Sequence, residues 1–200
     1  MNRRLVYVVG PSGAGKDSVL DWLRQHLRGE APVHWARRTI TRPSSAGGEA
    51  HESVDHAAFD RLCGEGAFAM TWTANGLRYG IRRTEIAPCG RGFWVFANGS
   101  RGHLAQAQAS YPGLTVVHIT ASPETIQRRL VARDRETPAE VQARLARLPK
   151  FVLPAGAIEV FNDTGLDFAG QSLRRALQTH DGGATRAFDP VAPGGFSCRP

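Results

Sequence analysis

Lysine is almost missing from this chain: Lys16 and Lys150 stand against 23 arginines. The net charge of +7 is therefore carried by planar guanidinium forks, which suit bidentate contacts to phosphate. A codon preference for arginine would leave the same surplus on the surface, so charge alone assigns no partner. No basic stripe interleaved with aromatics and no known reader motif is present, which argues against a nucleic-acid partner. Cysteine is scarce too. Cys63, Cys89 and Cys198 are odd in number and far apart, so neither a disulfide framework nor a Cys-x-x-Cys metal knuckle is available. A reducing cytoplasm is the expected setting. No apolar run approaches the ~20 residues of a membrane span, which argues against a membrane partner. The apolar stretch behind Met1-Asn2-Arg3-Arg4 ends in Gly-Pro after five residues, Leu5 to Val9, too short for a signal peptide.

Some catalytic patterns are missing as well. No Ser-His-Asp arrangement and no obvious general base can be assembled. The run His51-Glu52-Ser53-Val54-Asp55-His56 fails as a zinc helix, because its histidines are five apart and the helical motif needs four. His26 and His34 are expected on the surface, and His118 as a hydrogen-bonded strand histidine. There is no internal repeat.

What is there begins with Gly10-Pro11-Ser12-Gly13-Ala14-Gly15-Lys16-Asp17-Ser18. An apolar run precedes it and a helical pattern follows, the strand–loop–helix setting of a phosphate-binding loop. Glycines let backbone N–H groups turn inward, where they and the positive end of the helix hold nucleotide phosphates. Lys16 reaches the outer phosphates as a point charge. The position after the lysine, usually Ser or Thr and a magnesium ligand, is Asp17. It is a candidate Mg²⁺ ligand, directly or through water.

Two hundred residues suit one domain with a substantial core. Strands are expected at Leu5–Val9, Val33–Arg38, Phe93–Ala97, Leu114–Ile119 and Ala157–Phe161. Helices are expected at Ser18–Arg28, Ser100–Ser110, Pro123–Arg133, Thr137 to about Leu148, and Phe168–Leu177. Ser122 caps one of these, and Thr137 with Glu140 forms a capping box on another. Such alternation predicts a parallel sheet flanked by helices. Residues 39–88 have a different texture, with a helix at Ala57–Gly64 and strands at Ala67–Thr73 and Leu77–Ile81 around Asn75-Gly76. They are read as an inserted acceptor-binding subdomain within a single domain, 1–180. Residues 181–200, rich in Gly, Pro and Ala, are expected to form a mobile tail.

Two arginine groups stand out. Arg37, Arg38 and Arg42, with Tyr79 across the insertion, are candidates for binding an acceptor's phosphate. Arg128, Arg129, Arg133, Arg135, Arg144 and Arg147 surround a helix break near 133–140. A lid there would bring positive charge to a transferring phosphoryl group. A solvated basic surface is the plainer alternative for both groups. If the acceptor oxygen is already anionic, positioning and charge neutralisation suffice and no base is needed.

From about residue 5 to 178 the chain resembles the guanylate-kinase branch of the nucleoside-monophosphate kinases. The marks are Gly10–Lys16, Thr41-Arg42-Pro43, Gly48-Glu49, Tyr79-Gly80, Arg129-Leu130, Arg133, Arg144-Leu145 and Asn162-Asp163. Departures gather where that family reads guanine: Met70, Ile81 and Asn98 replace polar or acidic residues, Arg38 replaces a Ser, and Ser45 replaces an arginine. The chain is more similar to the ribose 1,5-bisphosphate phosphokinases. The marks are Gly15-Lys16-Asp17-Ser18, Arg38 to Pro43, Gly47-Gly48-Glu49-Ala50-His51-Glu52, Gly76 to Ile81 and Asn98-Gly99-Ser100-Arg101.

The resemblance implies an α/β P-loop NTPase fold with an arginine-rich lid. It implies transfer from ATP, with Mg²⁺, to a sugar bisphosphate, giving 5-phosphoribosyl 1-diphosphate. Residues Gly10 to Ser18 would hold ATP, and Lys16, Arg129, Arg133 and Arg144 would act on the transfer. Arg38, Arg42, Glu49, His51, Tyr79, Asn98 and Arg101 would bind the sugar. The alternatives are a nucleotide kinase of altered base preference and a silent guanylate-kinase-like module. The latter tends to lose the loop lysine and lid arginines that remain here.

Overall fold

The structure is a computed structural model that describes residues 4–27, 32–43, 50–132, 137–146 and 151–180. In chain order its elements are β1 (Leu5–Val9), α1 (Lys16–His26), β2 (Val33–Ala36), β3 (Arg38–Ile40), β4 (Glu52–Ser53) and α2 (His56–Gly64). Then come β5 (Phe68–Ala74), β6 (Leu77–Arg82), α3 (Arg83–Ile86), β7 (Trp94–Asn98), α4 (Leu104–Ser110), β8 (Thr115–Thr120), α5 (Pro123–Val131), α6 (Pro138–Leu145), β9 (Ile158–Phe161) and α7 (Leu166–His180).

Every residue of β1 is fully buried. A strand apolar on both faces needs cover on both, which helices on either side of a parallel sheet provide. β1 is central in the order β2-β7-β1-β8-β9, with all pairs parallel. Its alternation feeds two cores. Val6 and Val8 join Val19, Trp22 and Leu23 of α1 and Leu173 and Leu177 of α7. Leu5, Tyr7 and Val9 join Leu104 and Ala107 of α4 together with Met70, Ile81 and Ile86. α7 buries Ala169, Leu173 and Leu177, a four-residue spacing that makes one helix face, and Trp22 Nε1 donates to Asp167 Oδ1 at 2.6 Å.

A second sheet, β4-β3-β6-β5, is built from residues 38–82. Its hairpin turns at Asn75 (φ 50°) and Gly76 (φ 73°), the two positive φ values that match strand twist in a type I′ turn. Glu52 clips three strands of this sheet together. It accepts from Arg82 Nε (2.7 Å) and Nη2 (2.6 Å) and from Thr39 Oγ1 (2.7 Å). These contacts hold its carboxyl below the usual range, the Arg82 hydrogen bonds contributing most.

Several expectations shift. Val33–Arg38 is not one strand: β2 stops at Ala36 and Arg38 opens β3 in the other sheet. The break falls at Arg37, whose backbone N–H donates to Glu85 Oε2 at 3.0 Å instead of to a ladder. The helix expected from Ser100 starts as a 3-10 turn, Arg101–His103, before α4. The α6 helix ends at Leu145, and α7 reaches from Leu166 to His180. The caps hold: Thr125 N–H donates to Ser122 Oγ at 3.2 Å, and Thr137 and Glu140 bond reciprocally. Residues 133–136, the centre of the expected lid, and 181–200, the expected tail, lie outside the described residues.

Candidate active site

The buried β1 delivers the chain into Gly10–Gly15, and α1 begins at once with Lys16. Gly15 is the N-cap residue at φ 83°, ψ 29°, and no side chain caps the helix. This left-handed position suits glycine. A Cβ there would lie 2.5 Å from Asn162 Nδ2. The first-turn N–H groups of α1 are therefore left without a side-chain cap, the arrangement that receives an anion. Lys16 Nζ donates to Gly10 O (2.9 Å) and Pro11 O (3.1 Å), arching back across the loop.

From behind, Asn162 Nδ2 and Arg129 Nη1 both donate to Ala14 O, at 2.8 and 3.2 Å. Arg129 Nη2 reaches Asn162 O at 2.8 Å. Two donors on one carbonyl tie α5 and the end of β9 to the loop.

A cleft of about 540 Å³ opens over the loop. One wall is the loop with Lys16, Asp17 and Ser18. The floor is the turn after β7, Asn98 to Gly102. The far wall comes from the second sheet: Arg38, Trp72 and Tyr79, with Ala74 and Asn75 of the hairpin. Asn98 Nδ2 donates to Asp17 Oδ1 at 2.7 Å. The Arg38 guanidinium lies 5.3 Å from the Tyr79 ring centroid. Tyr79 is stacked on Trp72, centroids 5.5 Å apart and planes 2° from parallel.

Of the residues expected to bind the sugar, Arg38, Tyr79, Asn98 and Arg101 line this cleft. Arg42 and His51 meet each other instead. Arg42 Nη2 donates to His51 Nδ1 at 3.3 Å, and His51 Nε2 donates to Arg42 O at 3.2 Å. Glu49 and Arg133 lie outside the described residues, and Arg144 stands in α6. Arg129 is on the loop's outer side, not among the described lining residues. Met70 and Ile81, where the guanylate kinases carry base-reading groups, are 4% and 0% exposed in the second core.

Of the histidines, His26 is exposed as expected, while His34 is half-buried and His118 is buried in β8. His118 is only half satisfied: Nδ1 is 3.1 Å from Glu159 Oε1, while Nε2 is buried without a partner, and burial pushes its pKa down. His34 pairs with Glu85 at 2.7 Å, and His26 is stacked on Trp22. Among the described residues no three His, Cys, Asp or Glu side chains gather to hold a metal. Trp72, Ala74, Gly102 and Ile126 line the cleft and belong to none of the motifs quoted from the sequence. For Trp72 a signal existed, since strand alternation puts it on the same face of β5 as Met70.

A glycine loop between a buried parallel strand and a helix, with a lysine arched over it, defines a P-loop phosphotransferase. The fold is that of the guanylate kinases. The guanylate kinase crystal structure from Anaplasma phagocytophilum superposes with a TM-score of 0.65 at 13% identity, over 94% of this chain and 89% of that one. No protein-family model matches the chain. It is 42% identical over 186 residues to the ribose 1,5-bisphosphate phosphokinase PhnN of Thiobacillus denitrificans, covering 92% of this chain and 97% of that protein. It is 43% identical over 177 residues to the protein of the same name from Laribacter hongkongensis, a longer chain of which the match spans 43%. The chain belongs to the family of ribose 1,5-bisphosphate phosphokinases.

Proposed function

We propose that the chain transfers the γ-phosphoryl group of ATP to the 1-phosphate of ribose 1,5-bisphosphate. The products are ADP and 5-phosphoribosyl 1-diphosphate. The bond from the γ-phosphorus to the β–γ bridging oxygen breaks, and a new one forms to a 1-phosphate oxygen. That oxygen is already anionic, so the step needs alignment and charge neutralisation, not a base. The observation that carries the reading, beside family membership, is the single cleft shared by the phosphate loop and the Arg38–Tyr79 wall. In this reading its two walls would bring donor and acceptor phosphates face to face.

In this reading the uncapped N–H groups before α1 and the Lys16 ammonium hold the ATP phosphates. Arg129 keeps the loop in shape through Ala14, and Arg133 and Arg144 close on the transfer. Arg38 and Tyr79 hold the sugar bisphosphate. Asn98 and Arg101 contact its hydroxyls or second phosphate, and Arg42, Glu49 and His51 contribute further contacts. The site's donor chemistry fits Mg²⁺, which takes one or two carboxylates and completes its shell with phosphate and water. Asp17 offers such a carboxylate, exposed at the cleft. Bound Mg²⁺ supplies neutralisation of charge on the outer phosphates.

Nucleobase recognition is disfavoured, because a base-reading pocket needs polar partners and Met70 and Ile81 are sealed in apolar packing. Phosphorus NMR of a reaction of ATP with ribose 1,5-bisphosphate tests the proposal. The expected product shows a new diphosphate pair on the sugar with ADP in equal amount. Turnover of GMP and none of the sugar in the same assay would overturn it.

A further inference from the structure

Trp72 has no role in the site as drawn so far, yet it stands on the acceptor wall of the cleft. Its ring is held from two directions. Tyr79 is stacked parallel to it at 5.5 Å, and His103, from the 3-10 turn after β7, is stacked at 5.4 Å and 28°. His103 is itself pinned. Ser100 N–H donates to the Tyr7 hydroxyl at 3.1 Å, and that hydroxyl is hydrogen-bonded to His103 Nδ1 at 3.0 Å. Desolvation lowers the pKa of this buried ring.

The ring is fixed, but its polar edge is not used. The Trp22 indole N–H is bonded to Asp167. Among the described residues that of Trp72 has no hydrogen-bond partner, and it is not among the sealed polar atoms. The Tyr79 hydroxyl is in the same position. Two stacked rings of the cleft lining therefore carry an N–H and an O–H without partners among the described residues, with the Arg38 guanidinium over the second ring. An indole N–H is a donor only, so what it fits is an acceptor oxygen on an anionic or hydroxylated ligand.

We infer that Trp72 is a further acceptor-binding residue: its indole N–H donates to an oxygen of the sugar bisphosphate, beside Tyr79. His103 is a positioning residue that sets the indole plane. The inference rests on the reading of the cleft as a sugar-bisphosphate site.

The test is steady-state kinetics on the full chain and its Trp72→Phe variant, with ATP and ribose 1,5-bisphosphate varied separately. Phenylalanine keeps an aromatic ring for the stack and removes the donor. The acceptor KM is expected to rise by about 10-fold, the scale of a hydrogen bond to a charged group, with the ATP KM unchanged. His103→Gln is expected to raise the same KM by a smaller factor. In the wild-type chain, adding the sugar without ATP is expected to shift one of the four tryptophan indole N–H resonances. An unchanged acceptor KM in Trp72→Phe, an equal rise in both KM values, or four unmoved indole resonances would each overturn the inference while turnover of the sugar persists. Absence of wild-type turnover would overturn the functional reading along with it.

Discussion

Asp17 and Asn98, 81 residues apart in sequence, meet through a 2.7 Å hydrogen bond from the Asn98 amide to the Asp17 carboxylate. The loop has a carboxylate where a hydroxyl is usual, and β7 ends in an amide where the guanylate kinases carry an acid. The two departures are complementary: the negative charge has moved across the cleft and the amide donates to it. Asp17→Ala should therefore lower kcat by about 100-fold, equivalent to about 2.7 kcal/mol at the transition state. Excess Mg²⁺ should restore part of the rate. A variant with wild-type rate and metal dependence, measured by coupled ADP release, would remove Asp17 from the metal site.

Arg38 divides this chain from nucleotide kinases at the acceptor wall. Arg38→Ala should raise the KM for ribose 1,5-bisphosphate by about 100-fold, as expected for a lost charged phosphate contact. The KM for ATP should stay near its original value. Equal loss for both substrates would mean that the arginine shapes the cleft and does not contact the sugar.

Restoring an acid where guanylate kinases read guanine should not restore that reading. Met70 is 4% exposed beside Tyr7, Ile81 and Val95, so Met70→Glu buries a charge without a partner. The expected result is a stability loss of several kcal/mol, seen as a large fall in thermal midpoint, with no gain of GMP phosphorylation. A stable variant that phosphorylates GMP would show that a base pocket opens here.

The Glu52–Arg82–Thr39 clip makes the small sheet sensitive to acid. The Glu52 carboxyl is held low in the folded state by the Arg82 hydrogen bonds. Its stabilisation is therefore present above the ordinary glutamate value of about 4.3 and is lost as pH falls through the lowered folded value. Glu52→Gln should cost about 1 kcal/mol at neutral pH, modest because the pair is partly solvated. It should also flatten the acid limb of a midpoint-against-pH curve, and an unchanged limb would show that other carboxylates dominate it.

Tyr7 sets a limit at the other end. Desolvation raises its phenol to about 12, so the folded chain keeps that proton after the unfolded chain loses it near pH 10. Stability from this group is complete below about pH 10 and falls as pH rises through about 12. Tyr7→Phe should lack this alkaline loss. It should also cost about 1–3 kcal/mol at neutral pH, since Ser100 N–H and His103 Nδ1 lose their shared partner. Denaturant unfolding at pH 8 and pH 11 would reveal either result.

Much of this was legible along the chain because it is local. Glycine spacing, strand–loop–helix order and the caps at Ser122 and Thr137 depend on residues within a few positions of each other. Element bounds slipped where a distant side chain intervened, as when Glu85 took the Arg37 N–H and split Val33–Arg38 into strands of two sheets. The same holds for the site. The loop and the arginine-rich stretches could be picked from the sequence. That Arg129 braces Ala14 and that Arg42 pairs with His51 could not.

By itself, then, the amino-acid order determined a buried parallel sheet, a phosphate loop at the end of its first strand, and a family whose phosphate-handling residues persist while guanine-reading ones are gone. Short-range steric and hydrogen-bonding rules suffice for that. Only the tertiary structure decided which side chains share a cavity. The contacts that matter there join positions tens of residues apart, such as Asp17 with Asn98 and Tyr7 with His103, and they form when the two sheets pack around β1.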